Sequence, residues 1–133
     1  KREYYFDYEY SKSGDFSYDG LKTPGNQMRT VWDISNNKDK SELAYGKHPT
    51  QKPIRILKRM IKLASKEGDV MLTPFSGSGS ECVAAKMTGR KYIGIELDNS
   101  YCEIATERLN HVEENEDQLG QLSLNLFESE AAK

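Results

Sequence analysis

A short apolar segment followed by a loop with two glycines constrains the fold of this chain most strongly. Asp69 to Thr73 predicts a short buried strand, Pro74 to Gly79 a loop, and Ser80 to Thr88 a helix. Because glycine has no Cβ, such a loop lets the backbone approach a ligand closely. The start of the following helix offers free N–H groups and a partial positive charge. The unit therefore predicts a ligand-binding loop, although a lone loop of this kind is weak evidence for a nucleotide site.

The segments on either side of this unit complete an α/β pattern. A helix is predicted before it, stopped by Gly68, and Lys91 to Glu96 and Asn99 to Val112 predict a further strand and helix. This succession is typical of a parallel sheet with helices on both faces. Upstream, the alternating aromatic residues of Tyr4 to Tyr10 predict a short strand, and so does Met28 to Ile34, which would have Thr30, Trp32 and Ile34 on one face.

The helix before the loop has an apolar side and a basic side. A proline-rich segment, His48 to Pro53, leads into it, and Thr50 or Gln51 could cap its first turn. We expect the apolar stripe to face the core and the basic side to be solvated, a contact with DNA phosphates being the alternative. The stripe is formed by Ile54, Leu57, Ile61 and Ala64, and the basic residues are Arg55, Lys58, Arg59, Lys62 and Lys66.

Charge is distributed unevenly along the chain. The net charge is -2, yet Lys47 to Lys66 contains seven Lys or Arg and no acid, and acids gather from Glu113 onwards. The sequence lacks the run of about eighteen apolar residues that a membrane span needs. Cys82 and Cys102 fit neither metal-ligand spacing nor a disulfide framework. We therefore expect no metal site, and buried, reduced thiols in a cytoplasmic protein.

The second predicted strand ends in an acidic residue. Glu96 follows the loop by roughly twenty residues, a spacing typical of a carboxylate that binds ribose hydroxyls. The alternative is that Glu96 caps the helix starting near Asn99. A dinucleotide loop would have a third glycine where this chain has Cys82, and a P-loop would have a lysine directly after Gly79. A nucleoside with a compact charged tail, such as S-adenosyl-L-methionine (AdoMet), therefore fits better than a pyrophosphate or a triphosphate.

The chain closely resembles the C-terminal part of amino-directed DNA methyltransferases of the circularly permuted β type. The resemblance covers about half of the sequence and is carried, in order, by Lys47–Pro53, Gly68–Gly79, Gly89–Glu96, Tyr101 and Glu107–Leu109. It implies part of a Rossmann-like AdoMet-dependent methyltransferase fold, with a parallel sheet flanked by helices. It also implies methylation of the exocyclic amino group of adenine (N6) or cytosine (N4) in DNA.

The resemblance further implies a cofactor site made of three parts. The loop would wrap the methionine end of AdoMet, Glu96 would hold the ribose, and the segment His48 to Lys52 would close the other side. Thr73 stands where family members have an Asp that faces the amino group of AdoMet, so weaker cofactor binding is expected. The expected cofactor-binding residues are His48, Thr50, Gln51, Lys52, Thr73, Phe75, Ser76, Gly77, Ser78, Gly79, Glu96 and Leu97.

The family's catalytic motif, (D/N)PP(Y/F/W), is not found in this sequence, which has no Pro-Pro pair. We expect that motif upstream of Lys1, so that this fragment alone would be an inactive part of a site-specific restriction–modification methyltransferase, with adenine N6 favoured over cytosine N4. Residues 1–46 would then end the target-recognition and catalytic region with a lead-in strand. Residues 47–112 would form the AdoMet-binding subdomain, and 113–133 an acidic C-terminal extension.

Two other functions stay open at this point. The chain could be a non-catalytic module that binds a partner subunit or DNA, its loop being a relic. A nucleotide-dependent oxidoreductase is a third option, against which the missing third glycine argues. As the AdoMet-binding part, the chain is expected to have double-stranded DNA and the rest of the methyltransferase, or a second subunit, as partners, in a prokaryotic or phage-encoded system. Trp32 is expected to pack in the protein rather than stack on a base.

Overall fold

The computed structural model describes residues 4–13, 25–36 and 40–112. Their order is α1 (Tyr10–Ser13), a 3₁₀ helix (Lys40–Leu43), α2 (Ile54–Ala64), β1 (Val70–Thr73), α3 (Ser80–Met87), β2 (Lys91–Gly94) and α4 (Asn99–Asn110). None of the helices in these ranges combines the length and the apolar character needed to cross a membrane. The acidic extension predicted for 113–133 lies outside the described residues.

Strands β1 and β2 pair in parallel, which confirms the α/β class. Val70 stands opposite Lys91 and Thr73 opposite Gly94, with α3 as the crossover between the strands. The strand, loop, helix and strand predicted from the sequence all form, and β2 ends two residues earlier than expected. The carboxyl ends of both strands therefore lie at the same edge of the sheet, where the glycine loop begins.

Helix α3 packs on one face of this sheet, and α2 packs against α3. Their buried apolar residues form one core, to which Met71 of β1 and Tyr92 of β2 add partly buried side chains. On the other face, Val70, Leu72 and Ile93 are 60%, 59% and 53% exposed, and no element of the described ranges covers them. The expectation of a buried β1 is therefore not met within the described ranges, where the strand is half-exposed, whereas the parallel sheet flanked by helices is confirmed. Alternate residues of a strand point to opposite faces, and only one face is packed here.

Helix α2 begins in a way that the sequence did not predict. Neither Thr50 nor Gln51 caps it; instead the Glu42 carboxylate accepts a hydrogen bond from the Ile54 N–H at 3.0 Å. The helix ends at Ala64, well before Gly68, because the backbone of Ser65 turns to an extended conformation, with φ -148° and ψ 160°. The Ser65 hydroxyl also donates to the Ile61 carbonyl at 2.7 Å.

The apolar stripe of α2 is confirmed at Ile54, Leu57 and Ile61, which are all buried. Ala64 is exposed instead, and Leu63 is buried in a second cluster with Met28, beside Tyr10 and Trp32. Helix α2 therefore packs on two sides: one stripe faces α3, and Leu63 faces the N-terminal segment.

The N-terminal segments form no strands, contrary to the prediction. Residues 4–9 are irregular and lead into α1, whose first N–H, of Tyr10, bonds to the Asp7 carboxylate at 2.8 Å, and residues 28–34 are also irregular. Two aromatic side chains of the first segment, one from the alternating set and one outside it, lie against cations of α2 and of the residues just after it. The Lys66 and Lys62 ammonium groups lie 5.1 and 5.5 Å from the ring centroids of Tyr5 and Tyr10.

The same arrangement buries Arg59, which was expected to be solvated. Its guanidinium carbon lies 5.1 Å from the centroid of the Trp32 ring, and the residue is 5% exposed. Trp32 is a packing residue, as predicted. The basic side of α2 is therefore in part an internal contact surface, because aromatic faces attract cations while their rings remove apolar area from water.

Both cysteines are free thiols, as expected, with Cys82 buried in α3 and Cys102 half-buried in α4. Burial raises the pKa of the Cys82 thiol, and a hydrogen bond with the Thr73 side chain partly offsets this. Thr73 therefore points towards the helix-covered face of the sheet.

Candidate functional site

The glycine loop connects the end of β1 to the start of α3. The run from Ser76 to Ser80 is buried, whereas Phe75 is 91% exposed. Gly77 and Gly79 have φ values of 50° and 73°, which lie in the left-handed region that favours glycine. Gly79 is also the N-cap of α3, and no side chain caps that helix. The first N–H groups of α3 are therefore not occupied by a capping side chain.

Each glycine of the loop also has a close neighbour. A Cβ on Gly77 would lie 3.2 Å from the His48 ring, and one on Gly79 would lie 2.7 Å from the Cβ of Ala105 in α4. The spaces that glycine leaves open are thus filled by the protein itself at both positions. The loop is fixed between the His48 segment and α4.

The Glu96 carboxylate faces this loop across the end of the sheet. Its Oε2 accepts a hydrogen bond from the Gly77 N–H at 2.8 Å, and its Oε1 accepts from Leu97 at 2.7 Å and Asp98 at 3.0 Å. These bonds hold the pKa of Glu96 below its usual value, because they favour the charged form. The bond from Asp98 has the largest effect, followed by those from Gly77 and Leu97. At neutral pH this side chain is a carboxylate with one oxygen directed at the loop.

The alternative role of Glu96, capping the next helix, belongs to Asp98. Asp98 is the N-cap of α4, and its Oδ1 accepts a bond from the Ser100 N–H at 2.8 Å. The pKa of Asp98 is lowered most by a hydrogen bond from the Ser100 side chain and next by one from the Ser100 backbone. The sequence signal was present, since Asp is a favoured N-cap residue. With Asp98 as the cap, Glu96 is left to connect the two strand ends.

The proline-rich segment lies against the loop. The His48 ring contacts Tyr101 of α4 edge to face, with centroids 4.3 Å apart, and its Nδ1 accepts a bond from the Thr50 N–H at 3.2 Å. Gln51 is buried; its Oε1 accepts from the Ser78 hydroxyl at 3.0 Å and its Nε2 donates to the Glu42 carbonyl at 2.9 Å. Both side chains thus contact the loop region directly.

The other expected site residues are placed less closely. Lys52 and Thr50 are exposed, Leu97 is 97% exposed beside Glu96, and Thr73 is half-buried beside Cys82. The structure therefore brings His48, Gln51, the loop and Glu96 together around one end of the sheet. It leaves Phe75 and Leu97 as two apolar side chains that face solvent there.

Arg108 belongs to this region, although no role was expected for it from the sequence. It lies in α4, is 4% exposed, and its Nη1 donates to the Ser78 carbonyl at 2.6 Å, the Ser78 hydroxyl at 3.1 Å and the Ser80 hydroxyl at 3.0 Å. Burial lowers the pKa of its guanidinium, while the charges of Glu42 and Glu81 oppose that shift. An arginine in a helix with few buried residues carries no sequence signal of such a contact, because the bond joins residues thirty positions apart.

Two cavities adjoin these elements. One of about 340 Å³ has Ser76 and Glu96 in its wall and runs along β2 towards Cys102 and Ala105. Another of about 380 Å³ lies between the 3₁₀ helix, α2, α3 and α4, and Arg108 lines it. Of these two cavities, the first touches the Glu96 carboxylate and the second does not.

With this geometry in view, comparison with known proteins identifies the family. Residues 1–107 match the sequence profile of the N6/N4 methyltransferase family described as DNA methylase. The chain belongs to this family. The resemblance found in the motifs is thereby confirmed, and the parallel strand–helix–strand unit is part of a methyltransferase-type α/β fold.

Among the relatives, the chain is 47% identical over 110 residues to the type II methyltransferase M2.LlaDCHI of Lactococcus lactis subsp. cremoris, covering 83% of this chain and 38% of the relative. It is 48% identical over 96 residues to the type II methyltransferase M2.DpnII of Streptococcus pneumoniae, covering 71% and 35%. It is 39% identical over 102 residues to the DNA adenine methyltransferase YhdJ of Escherichia coli K12, covering 77% and 33%. The chain thus spans about a third of the length of these relatives.

Similar solved structures include two crystal structures of M1.HpyAVI, one of them a complex with SAM. The complex has a TM-score of 0.47 at 40% identity and covers 47% of this chain and 32% of that one. The other M1.HpyAVI structure has a TM-score of 0.45 at 36% identity and covers 47% of this chain and 32% of that one.

Proposed function

We propose that this chain is the AdoMet-binding part of a DNA methyltransferase that methylates the N6 amino group of adenine. The observation that carries the proposal is the Glu96 carboxylate, held 2.8 Å from the Gly77 N–H of the glycine loop. A carboxylate beside a glycine loop at the ends of parallel strands can bind a nucleoside there. The preference for adenine rests on the relative YhdJ, which is named a DNA adenine methyltransferase.

The residues present fit AdoMet. A carboxylate offers about four acceptor positions, and three of those on Glu96 are taken by backbone N–H groups. One position on Oε2 therefore remains for a ribose hydroxyl. Phe75 and Leu97 offer exposed apolar surface to the rest of the nucleoside, and the uncapped start of α3 suits the carboxylate of the methionine end. AdoMet would supply the methyl group from its sulfonium.

The His48 segment would close the same site from the other side. The contacts of His48 with Gly77 and of Gln51 with Ser78 support this role, because they bring the segment to the loop. Lys52 and Thr50 are exposed in the same segment and would contact the ligand directly. In this proposal His48 and Gln51 shape the loop.

The chemistry on the base would require residues beyond this chain. The chain spans about a third of its relatives, and its sequence has no (D/N)PP(Y/F/W) motif. We therefore assign the AdoMet-binding subdomain to 47–112 and the end of the target-recognition and catalytic region to 1–46. The partners would be double-stranded DNA and the remainder of the methyltransferase, on the same or a second polypeptide, in the cytoplasm of a prokaryote.

Titration calorimetry of the 133-residue chain with AdoMet and with S-adenosylhomocysteine tests this proposal. We expect binding that Glu96→Gln weakens by about tenfold or more, because the amide loses the negative charge and turns an N–H₂ towards backbone donors. Glu103→Gln is the matched control, since Glu103 is exposed on α4 and the charge change is the same. No binding at about millimolar ligand, the weak limit of specific affinity, would contradict the proposal and favour a non-catalytic module.

A further inference from the structure

One guanidinium nitrogen joins three parts of the site. Arg108 Nη1 donates to the carbonyl and hydroxyl of Ser78, in the middle of the loop, and to the hydroxyl of Ser80, the first residue of α3. The Ser78 hydroxyl in turn donates to Gln51, whose amide donates to the Glu42 carbonyl. The network thus runs from α4 through the loop to the segment before α2.

The position of Ser78 explains why such a network matters. Ser78 lies between Gly77 and Gly79, the two loop residues with positive φ values. Glycine explores more backbone conformations than other residues, so a loop with two of them loses more entropy when it is held in one conformation. A charge-assisted hydrogen bond to the residue between them is a strong way to hold it.

The burial of Arg108 also supports a role for this residue in holding the loop. Within the described part of the chain, all three of its hydrogen bonds end on Ser78 and Ser80, and the residue is 4% exposed. Burying a guanidinium is costly unless its bonds compensate. A buried cation committed entirely to a ligand loop is therefore a candidate for a functional role.

We propose that Arg108 is the positioning residue of the cofactor loop. Its guanidinium fixes Ser78 so that the loop receives AdoMet without first having to become ordered, and it does so without touching the ligand. The inference rests on the proposed function, since it names the residue that sets the affinity of that same site. Preorganising a binding loop raises affinity because the cost of ordering is met during folding.

Arg90 offers a matched control elsewhere in the same fold. It is also buried, at 8% exposure, and its guanidinium donates to the Ser65 hydroxyl and carbonyl and to the Thr88 carbonyl. These contacts join the end of α2 to the residues before β2, at the opposite end of the strands from the loop. Replacing Arg90 removes a comparable set of bonds without changing the loop.

The experiment compares Arg108→Met, Arg108→Lys and Arg90→Met in the 133-residue chain. AdoMet affinity is measured by titration calorimetry, and amide hydrogen exchange at Gly77 to Ser80 is measured without ligand. We expect Arg108→Met to weaken binding by about tenfold or more, because a charged hydrogen bond is lost. The variant should also speed amide exchange in the loop. Arg108→Lys should recover part of the affinity, because its ammonium can still donate to one acceptor. Arg90→Met should lower the thermal midpoint but leave the affinity and the loop exchange unchanged.

A second variant covers the case in which Arg108→Met does not fold. Ser78→Ala removes the hydroxyl that accepts a hydrogen bond from Arg108 and donates one to Gln51. Combined with Arg108→Lys, it should weaken binding less than additively. Unchanged affinity in the Arg108 variants, or an equal loss in Arg90→Met, overturns the inference while the proposed function stands. Absence of binding by the unaltered chain overturns the proposed function itself, and with it the role of Arg108 in affinity.

Discussion

The Gly77 N–H donates to Glu96 Oε2 at 2.8 Å, so the loop and the end of β2 are joined by a charged hydrogen bond. Hydrogen bonds from Asp98, Gly77 and Leu97 lower the pKa of Glu96 in the folded state. A lowered carboxylate pKa adds stability above the unfolded value, and this contribution is lost as the pH falls through the folded value.

This relationship predicts how Glu96→Gln alters the pH dependence of stability. The variant should be less stable than the unaltered chain at about pH 7, and the difference should shrink as the pH falls through the lowered pKa of the folded state, because the carboxylate then becomes protonated. Urea unfolding at a series of pH values measures it, with Glu103→Gln as the control. A difference that is the same at both ends of the range would contradict the assignment.

A second prediction concerns Gly79, whose missing Cβ leaves room for Ala105. Gly79→Ala should lower the free energy of unfolding by about 2–4 kcal/mol, from the strain of a positive φ and from overpacking. Gly68 is the matched control, because its φ is 82° and a Cβ there would meet nothing within 4 Å. Gly68→Ala should therefore cost only about 1–2 kcal/mol.

The difference between the two glycines can be assigned to Ala105 by a further variant. Adding Ala105→Gly to Gly79→Ala removes the 2.7 Å contact and should restore part of the lost stability, measured against Ala105→Gly alone. If the double variant is no more stable than additivity allows, the contact does not determine the cost.

The strand–loop–helix unit was predictable because its signals are local. The apolar run before Pro74, the two loop glycines and the periodicity of α3 each act within a few residues, and all three elements form where expected. The N-terminal tyrosines were wrongly predicted as a strand for the opposite reason. The two tyrosines that lie against cations, Tyr5 and Tyr10, do not follow the two-residue alternation, and their pairing with Lys66 and Lys62 depends on residues more than fifty positions away.

In the site, too, features with a local sequence signal were predictable and features that depend on long-range packing were not. Glu96 beside the loop could be expected from spacing, because parallel strands end at one edge of the sheet. The packing of Arg108 against Ser78 and of Ala105 against Gly79 could not be predicted, because both depend on where α4 docks in the folded protein. The exposed face of β1 could not be predicted either, since an apolar strand has the same sequence whether one or both faces are covered.

A third prediction tests the contact between Arg59 and Trp32. The guanidinium lies 5.1 Å from the ring centroid, and Trp32 is the single tryptophan of the chain. A double-mutant cycle with Arg59→Met and Trp32→Leu should give a coupling of about 0.5–2 kcal/mol, because Arg59 is largely removed from water. Pairing Trp32→Leu with Lys52→Met, a change at an exposed lysine, should give no coupling.

The emission of Trp32 provides a second measurement of that contact. Arg59→Met should shift its fluorescence while Lys52→Met leaves it unchanged, because Arg59 lies over the ring and Lys52 is exposed elsewhere. Zero coupling in the cycle together with an unshifted spectrum would mean that the N-terminal segment does not pack on α2.

The last prediction concerns Thr73, which stands where the resemblance described above implies an Asp before the loop. The Thr73 hydroxyl is neutral and lies beside the buried Cys82 thiol, so this position supplies no negative charge at the end of β1. Thr73→Asp should strengthen AdoMet binding by about fivefold or more, since a charge-assisted bond to the amino group exceeds a neutral one by about 1 kcal/mol.

The control for this change is Thr73→Asn, which has the shape of Asp without the charge. We expect Asn to leave the affinity near that of the unaltered chain, and the gain from Asp to fall as ionic strength rises. S-adenosylhomocysteine keeps the same amino group but lacks the sulfonium charge, so its affinity should rise by a similar factor. A gain confined to AdoMet would place the new charge near the sulfonium instead, and equal affinities for Asp and Asn would show that charge at this strand end does not determine binding.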